Sequence, residues 1–279
     1  MRAAVYYHAD FAEKGYSTLR HRVKPGFDAL HPLIKSGKIQ VRTPEIDETA
    51  RALLQHIHSP ELIERVQAAG YHDVALLSAA GVIQAAEALA SGDLDMAFCF
   101  VGSGGHHAGH NYCWGFCYYN DVVMAVNRLR QLEMPDIMII DIDPHSGDGT
   151  RDLLAADPRI IHLNFFADED YSYEDTARNN YGVLLDGASD QVLFTALEDY
   201  LNREWNYDLL IVIVGHDGHC LDYGDLYLTT GFYHDFARRI RLFAAGKPVM
   251  FVLSGGSLPQ VASEVIPALI EGYLDVCCL

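Results

Sequence analysis

The stretch DIMIIDIDPH, residues 136–145, is an apolar run that ends in two carboxylates and an imidazole. Three other runs end in the same manner. MAFCFV (96–101) leads into Gly104-Gly105-His106-His107, DLLIVIVG (208–215) into His216-Asp217, and PVMFVLSGG (248–256) into Ser257. Open α/β sheets gather their sites where the carboxyl ends of parallel strands meet. Imidazoles and carboxylates delivered there read as a metal site with general acid/base groups beside it.

Helical segments alternate with these runs. HSPELIERVQAAG (58–70) carries Ser59 as a cap before a proline in the first turn, puts Leu62, Ile63 and Val66 on one face, and stops at Gly70. SAAGVIQAAEALASG (78–92), YNDVVMAVNRLRQLEM (119–134), SDQVLFTALEDYLNREW (189–205), YHDFARRIRLFAAG (233–246) and SEVIPALIEGYL (263–274) read as further helices, and RAAVYY (2–7) as an opening strand. Strand, helix, strand repeated in this way means a mostly parallel sheet covered on both faces. Without a repeat, low-complexity tract or Pro/Ser-rich linker, residues 1–279 are expected to form one domain.

Composition narrows the function. Lys plus Arg number 20 against 38 Asp plus Glu, a formal net charge of −18, which disfavours a nucleic-acid groove. Such acidity suits a metal or a cationic small substrate, and it also serves solubility. No run of 18 apolar residues suggests a membrane span, and the start MRAAVYYHADF meets a His and an Asp too early for a signal peptide. Six cysteines, at 99, 113, 117, 220, 277 and 278, form no CxxC pair, so reduced thiols and a cytoplasmic location are expected.

In Asp141-Ile142-Asp143-Pro144-His145 a period of two would put Asp141, Asp143 and His145 on one side of an extended segment. Carboxylate oxygen and neutral imidazole nitrogen suit Zn²⁺, with Fe²⁺ as the other candidate. Asp217, from a neighbouring strand, can supply a third ligand and leave positions open for water and substrate. A capping or turn-forming carboxylate pair is the other reading of Asp-x-Asp-x-His alone. His106 and His107 follow two glycines, and Asp141 and Asp148 could each hold one imidazole, separating the two pKa values. One His would take a proton from water and one would protonate a leaving amine. Tyr112, Cys113 and Trp114 lie before Phe116 in a loop expected at the pocket mouth, where an aromatic rim could hold a cationic or flat substrate or simply pack on a neighbouring loop. The acidic run Asp168, Glu169, Asp170, Glu174 and Asp175, with Tyr171 and Tyr173, reads as a solvated loop or as a rim attracting a polyamine-like substrate.

Together these segments resemble the histone deacetylase superfamily, including its bacterial acetylpolyamine and acetoin-utilisation relatives. The pieces are His58-Ser59-Pro60, Gly105-His106-His107-Ala108, Gly115-Phe116-Cys117-Tyr118-Tyr119-Asn120-Asp121, Asp141 to Thr150, and Gly215-His216-Asp217 with Asp222 and Leu226-Tyr227-Leu228-Thr229. The resemblance implies an arginase/deacetylase-type α/β/α fold with a central eight-stranded parallel sheet. It implies Zn²⁺ on Asp143, His145 and Asp217, His106 paired with Asp141, His107 with Asp148, and Phe116 along a substrate tunnel. It also implies a K⁺ ion near the strand end of Asp141, on backbone oxygens around His162 and Leu163. The expected activity is hydrolysis of a small acylated amine or amide by metal-activated water. An isologous homo-oligomer is the expected assembly, with neither nucleic acid nor membrane as a partner.

The chain departs from the family at two points. Ser146 replaces the second of two adjacent histidines in the metal motif, which spares the ligand His145. After the last core strand the family has a Gly-Gly-Tyr segment whose phenol donates to the oxyanion, and this chain has Gly255-Gly256-Ser257. Losing one such donor costs roughly 10²–10³ in rate. Three explanations stay open. Ser257 acts through a water, or on a substrate seated closer to the metal. Another residue among His216, His219, Tyr223 and Tyr16 replaces the phenol. Or the chain binds an acyl-amine without turning it over. A binuclear manganese ureohydrolase is the nearest alternative on the same fold, but it would need an Asp where this chain has His219.

Overall fold

Four of the central strands are buried along their whole length because helices cover both faces of the sheet around them. The structure, a computed structural model, describes residues 1–155, 157–167, 173–175, 179–185 and 188–275. Among these, nine strands form one sheet: β1 (Ala3–Tyr6), β2 (Gln40–Arg42), β3 (Met96–Cys99), β4 (Ile137–Asp141), β5 (Ile160–Phe166), β6 (Tyr173–Asp175), β7 (Asn180–Leu184), β8 (Leu209–Val214) and β9 (Val249–Leu253). Their order is β2-β1-β3-β9-β8-β4-β5-β7-β6. Eight are mutually parallel, as expected, and β6 adds an antiparallel edge against β7. Every residue of β3, β4, β8 and β9 is buried.

Register explains why chemistry collects at one edge. Asp141 of β4 lies opposite Ile213 of β8, and Val214 of β8 lies opposite Leu253 of β9. Cys99 of β3 is level with Val252. The four central strands therefore end together, and the segments beginning at Phe100, Ile142, Gly215 and Ser254 leave the sheet side by side. These are the segments that carry the His, Asp and Gly clusters.

The helices start where their caps dictate. Ser59, Asn120 and Thr229 accept hydrogen bonds from the backbone N–H of Leu62, Val123 and Phe232, starting helices Pro60–Ala68, Asp121–Gln131 and Thr230–Ala244. The helix expected over 263–274 begins earlier, at Pro259, because proline suits the first helical position. The helix expected from residue 78 spans His72–Ala90. By length and composition that helix could cross a membrane, but 78% of its apolar window is buried inside the fold. It is a core helix, and burial on the sheet accounts for its alanine and leucine content. Of the acidic run, 168–172 lie outside the described residues, as do Cys277 and Cys278, and Glu174 and Asp175 fall in the edge strand β6.

Candidate active site

The metal motif does not keep the strand's period of two. Extended structure ends at Asp141, and two short turns follow, each closed by a carboxylate. Asp141 Oδ1 accepts from the N–H of Asp143 at 3.0 Å, and Asp143 Oδ1 accepts from the N–H of His145 at 3.1 Å. Asp side chains favour this bond to the backbone two residues on. The turns separate the three side chains by task. Asp141 points its other oxygen at His106, while Asp143 and His145 meet Asp217, which the 3-10 turn His216–Gly218 carries just beyond β8.

Asp143, His145 and Asp217 each offer a ligand atom, and these atoms lie within 4.8 Å of one another. His145 Nδ1 stands 3.0 Å from Asp143 Oδ1 and 3.4 Å from Asp217 Oδ2. The surroundings fit a cation. Asp217 is fully buried, yet neither of its carboxylate oxygens has a hydrogen bond. A charge so placed is costly unless an ion meets it. Burial, with Asp143 close by, raises Asp217 to about 6. Two glycines clear the space: a Cβ on Gly255 would lie 2.0 Å from Asp217 Oδ2, and one on Gly215 would lie 2.5 Å from Asp143 Oδ2. The Gly255 N–H donates to Asp143 Oδ2 at 2.7 Å. Arg22, wholly buried, donates to the carbonyls of Ser254 and Gly255 and holds that wall.

The two histidines sit above this cluster, each on its own carboxylate. His106 Nδ1 is 3.0 Å from Asp141 Oδ2, and its Nε2 is 3.8 Å from Asp143. His107 Nδ1 is 2.8 Å from Asp148 Oδ1. Their environments separate them. Burial works to lower His106, but Asp143 and Asp141 outweigh it and raise the imidazole to about 9. Burial and the neighbouring His106 lower His107 to about 4, against the pull of Asp148. In the metal-free chain the two environments therefore push the imidazoles in opposite directions.

A cavity of about 90 Å³ opens over the cluster, lined by His106, His107, Trp114, Phe116 and Tyr223 as well as the three acceptor residues. Phe116 reaches it through a left-handed turn in which Gly115 and Phe116 have φ of 57° and 65°. Such a conformation costs a non-glycine residue about 1 kcal/mol or more and recurs at functional sites. A Cβ on Gly115 would also lie 2.5 Å from the His107 ring. Trp114 lies against His107 with ring centroids 3.7 Å apart and the planes tilted by 31°, and its indole N–H donates to Asp148.

Two of the expected substrate contacts stand elsewhere. The Tyr112 hydroxyl donates to Asp152 at 2.6 Å, on the outer side of the loop. The Ser257 hydroxyl donates to Asp222 at 2.9 Å, and neither residue lines the cavity. Cys113 and Cys117 are free thiols outside the three-residue cluster. Arg22 and Asp222 both shape the site without having been expected there. Arg22 gave no local signal, whereas Asp222 stood in a matched segment.

A parallel sheet that brings two His–Asp pairs over an Asp–His–Asp cluster at its carboxyl edge defines a protein of the arginase/deacetylase class. The crystal structure of the HDA15 HD domain superposes with a TM-score of 0.86 over 98% of this chain and 89% of that one, at 18% identity, a likeness of fold. An uncharacterized protein of Picosynechococcus sp. is 30% identical over 281 residues, covering 90% of this chain and 91% of its own. Histone deacetylase 5 of Arabidopsis thaliana is 30% identical over 220 residues, 70% of this chain, which spans 33% of that longer protein. Residues 21–273 match the histone deacetylase domain, and the chain belongs to that family.

Proposed function

We propose that the chain is a zinc-dependent amidohydrolase of the deacetylase type that releases a carboxylic acid and an amine from a small acylated amine or amide. The observation that carries this reading is Asp217, whose two buried oxygens have no hydrogen bond and face His145 and Asp143. Three N/O ligands with an open side are the catalytic form of a zinc site. When bound there, Zn²⁺ polarises the acyl carbonyl and makes water acidic enough to attack it near pH 7.

The chain's own groups divide the remaining work. His107, neutral and anchored on Asp148 at 2.8 Å, takes the proton of the attacking water and returns it to the departing nitrogen. His106, paired with Asp141 through Nδ1, turns its Nε2 toward Asp143 and the reacting carbon. Trp114 and Phe116 wall the cavity. K⁺ on the backbone of His162 and Leu163, a cytoplasmic location and a small-molecule partner belong to the same proposal.

A single catalytic metal is favoured over a binuclear centre. At the position where the second metal would need an Asp, His219 uses Nε2 on Thr230 at 3.2 Å and Nδ1 on the Leu221 N–H at 3.2 Å. The test is zinc content together with turnover across N-acyl amines of varied acyl group. One zinc per chain with acid release supports the hydrolase, and one zinc without any release supports an acyl-amine binder instead.

A further inference from the structure

The groups described so far serve the metal and the proton. Beside the metal, no side chain named above donates a hydrogen bond to the carbonyl oxygen, on which negative charge develops during attack, and such a donor is among the largest contributions to acyl transfer. Ser257 stands where the family has its phenol, but its hydroxyl is engaged by Asp222.

Asp222 binds far more than that hydroxyl. It accepts from the backbone N–H of Ser257 at 3.1 Å, of Leu258 at 3.1 Å and of Tyr223 at 3.0 Å, and it pairs with His216 Nδ1 at 3.0 Å. One carboxylate thus clasps the loop after β8 to the segment after β9. Tyr223 is the residue this clasp brings forward. It lines the same cavity as His107, Asp143 and His145, and its ring lies 6.1 Å from the His145 ring. Its phenol oxygen accepts the Gly256 N–H at 3.3 Å, one residue before Ser257. Accepting that bond leaves the phenol hydrogen free to donate. Gly224 permits the approach, since a Cβ there would lie 2.5 Å from Pro144 and 2.7 Å from the Asp217 carbonyl oxygen.

None of the other candidates lines the cavity. His216 is wholly buried, with Nδ1 on Asp222 and Nε2 without a partner, both nitrogens of His219 are bonded, and Tyr16 stacks on Phe116 at 4.4 Å.

We propose that Tyr223 is the oxyanion donor of this chain, a phenol delivered from the loop after β8 to a point that Ser257 does not reach. The inference rests on the hydrolase reading above. Water oxygen adds to the acyl carbon and its proton passes to His107. The carbonyl π pair moves onto oxygen, where the Tyr223 O–H donates to it. On collapse the C=O bond re-forms, the C–N bond breaks, and the proton passes from His107 to nitrogen.

The test compares the zinc-loaded wild-type chain with Tyr223→Phe, reading kcat, KM, zinc content and the Kd of an acyl trifluoromethyl ketone whose hydrate imitates the tetrahedral state. Tyr223→Phe should keep one zinc per chain and a KM within about threefold, while kcat falls roughly 10²–10³-fold and the ketone binds weaker by a comparable factor. A kcat and ketone Kd within about threefold of wild type would overturn the role of Tyr223 and leave the hydrolase standing. A wild-type chain that neither turns over acyl amines nor binds the ketone would remove the hydrolase reading, and this inference with it.

Discussion

Trp114 and His107 share one carboxylate. Asp148 holds His107 Nδ1 with Oδ1 at 2.8 Å and accepts the Trp114 indole N–H with Oδ2 at 2.9 Å, while the two rings pack against each other at a tilt. The indole thereby fixes the carboxylate that orients the histidine and covers one face of its ring.

This arrangement separates two contributions of one side chain. Trp114→Phe keeps an aromatic ring against the imidazole and loses the N–H, so kcat should fall about fivefold, the equivalent of roughly 1 kcal/mol. Trp114→Ala uncovers the imidazole as well and should cost about 10–100-fold, as groups supporting a metal site commonly do. Steady-state kinetics of the two variants read the difference directly.

Asp217 places function and stability in opposition. Without metal its buried, unbonded carboxylate destabilises the fold. Asp217→Asn should therefore stabilise the metal-free protein by about 1–3 kcal/mol in urea unfolding, because a neutral amide is less costly to bury. The same variant should lose stoichiometric zinc. Zinc titration and unfolding on one preparation check both halves.

Three buried histidines set an acid limit on stability. Burial lowers His58, His162 and His216 to about 4. His58 is locked as a neutral ring, with Nδ1 2.9 Å from the Gly109 carbonyl oxygen and Nε2 accepting the Asn120 N–H at 2.9 Å. In the unfolded chain such groups take up protons near 6.5, so their stabilisation is complete above that pH and lost as pH falls from 6.5 toward 4. Each contributes up to about 3 kcal/mol across the window. Urea midpoints should decline over this range, and His58→Gln should show a shallower decline by one proton's share of the slope.

Gly255 has room for no side chain. Its N–H is fixed on Asp143 and its carbonyl on Arg22, so the backbone cannot retreat, and a Cβ would meet Asp217 at 2.0 Å. Gly255→Ala should weaken zinc binding by more than about tenfold and cost about 1–3 kcal/mol of stability. Zinc competition with a colorimetric chelator measures the first effect, and thermal unfolding the second.

Much of this site was legible in the sequence, for reasons that particular residues make plain. Runs such as DIMIID and LLIVIV read as buried parallel strands because nothing polar interrupts them, and the polar residues that follow mark the edge where they end. β5 was harder, since His162 and Asn164 break the apolar pattern although both are buried. The period of two failed beyond Asp141 because the Asp side chains close turns on the backbone, which spacing alone does not reveal. Arg22 reaches the site across more than 230 residues of chain, and Tyr223 reaches it through the Asp222 clasp. Contacts of that kind exist only once the sheet has aligned β8 with β9.

The most direct measurement is hydrolysis of N-acyl amines in ¹⁸O-labelled water by the zinc-loaded chain, with Asp143→Ala alongside. The released acid should carry one atom of solvent oxygen, and the rate should disappear in the variant. Acid release that Asp143→Ala leaves unchanged, or none from the wild-type chain across acetyl, propionyl and longer acyl amines, would contradict a metal hydrolase built on Asp143.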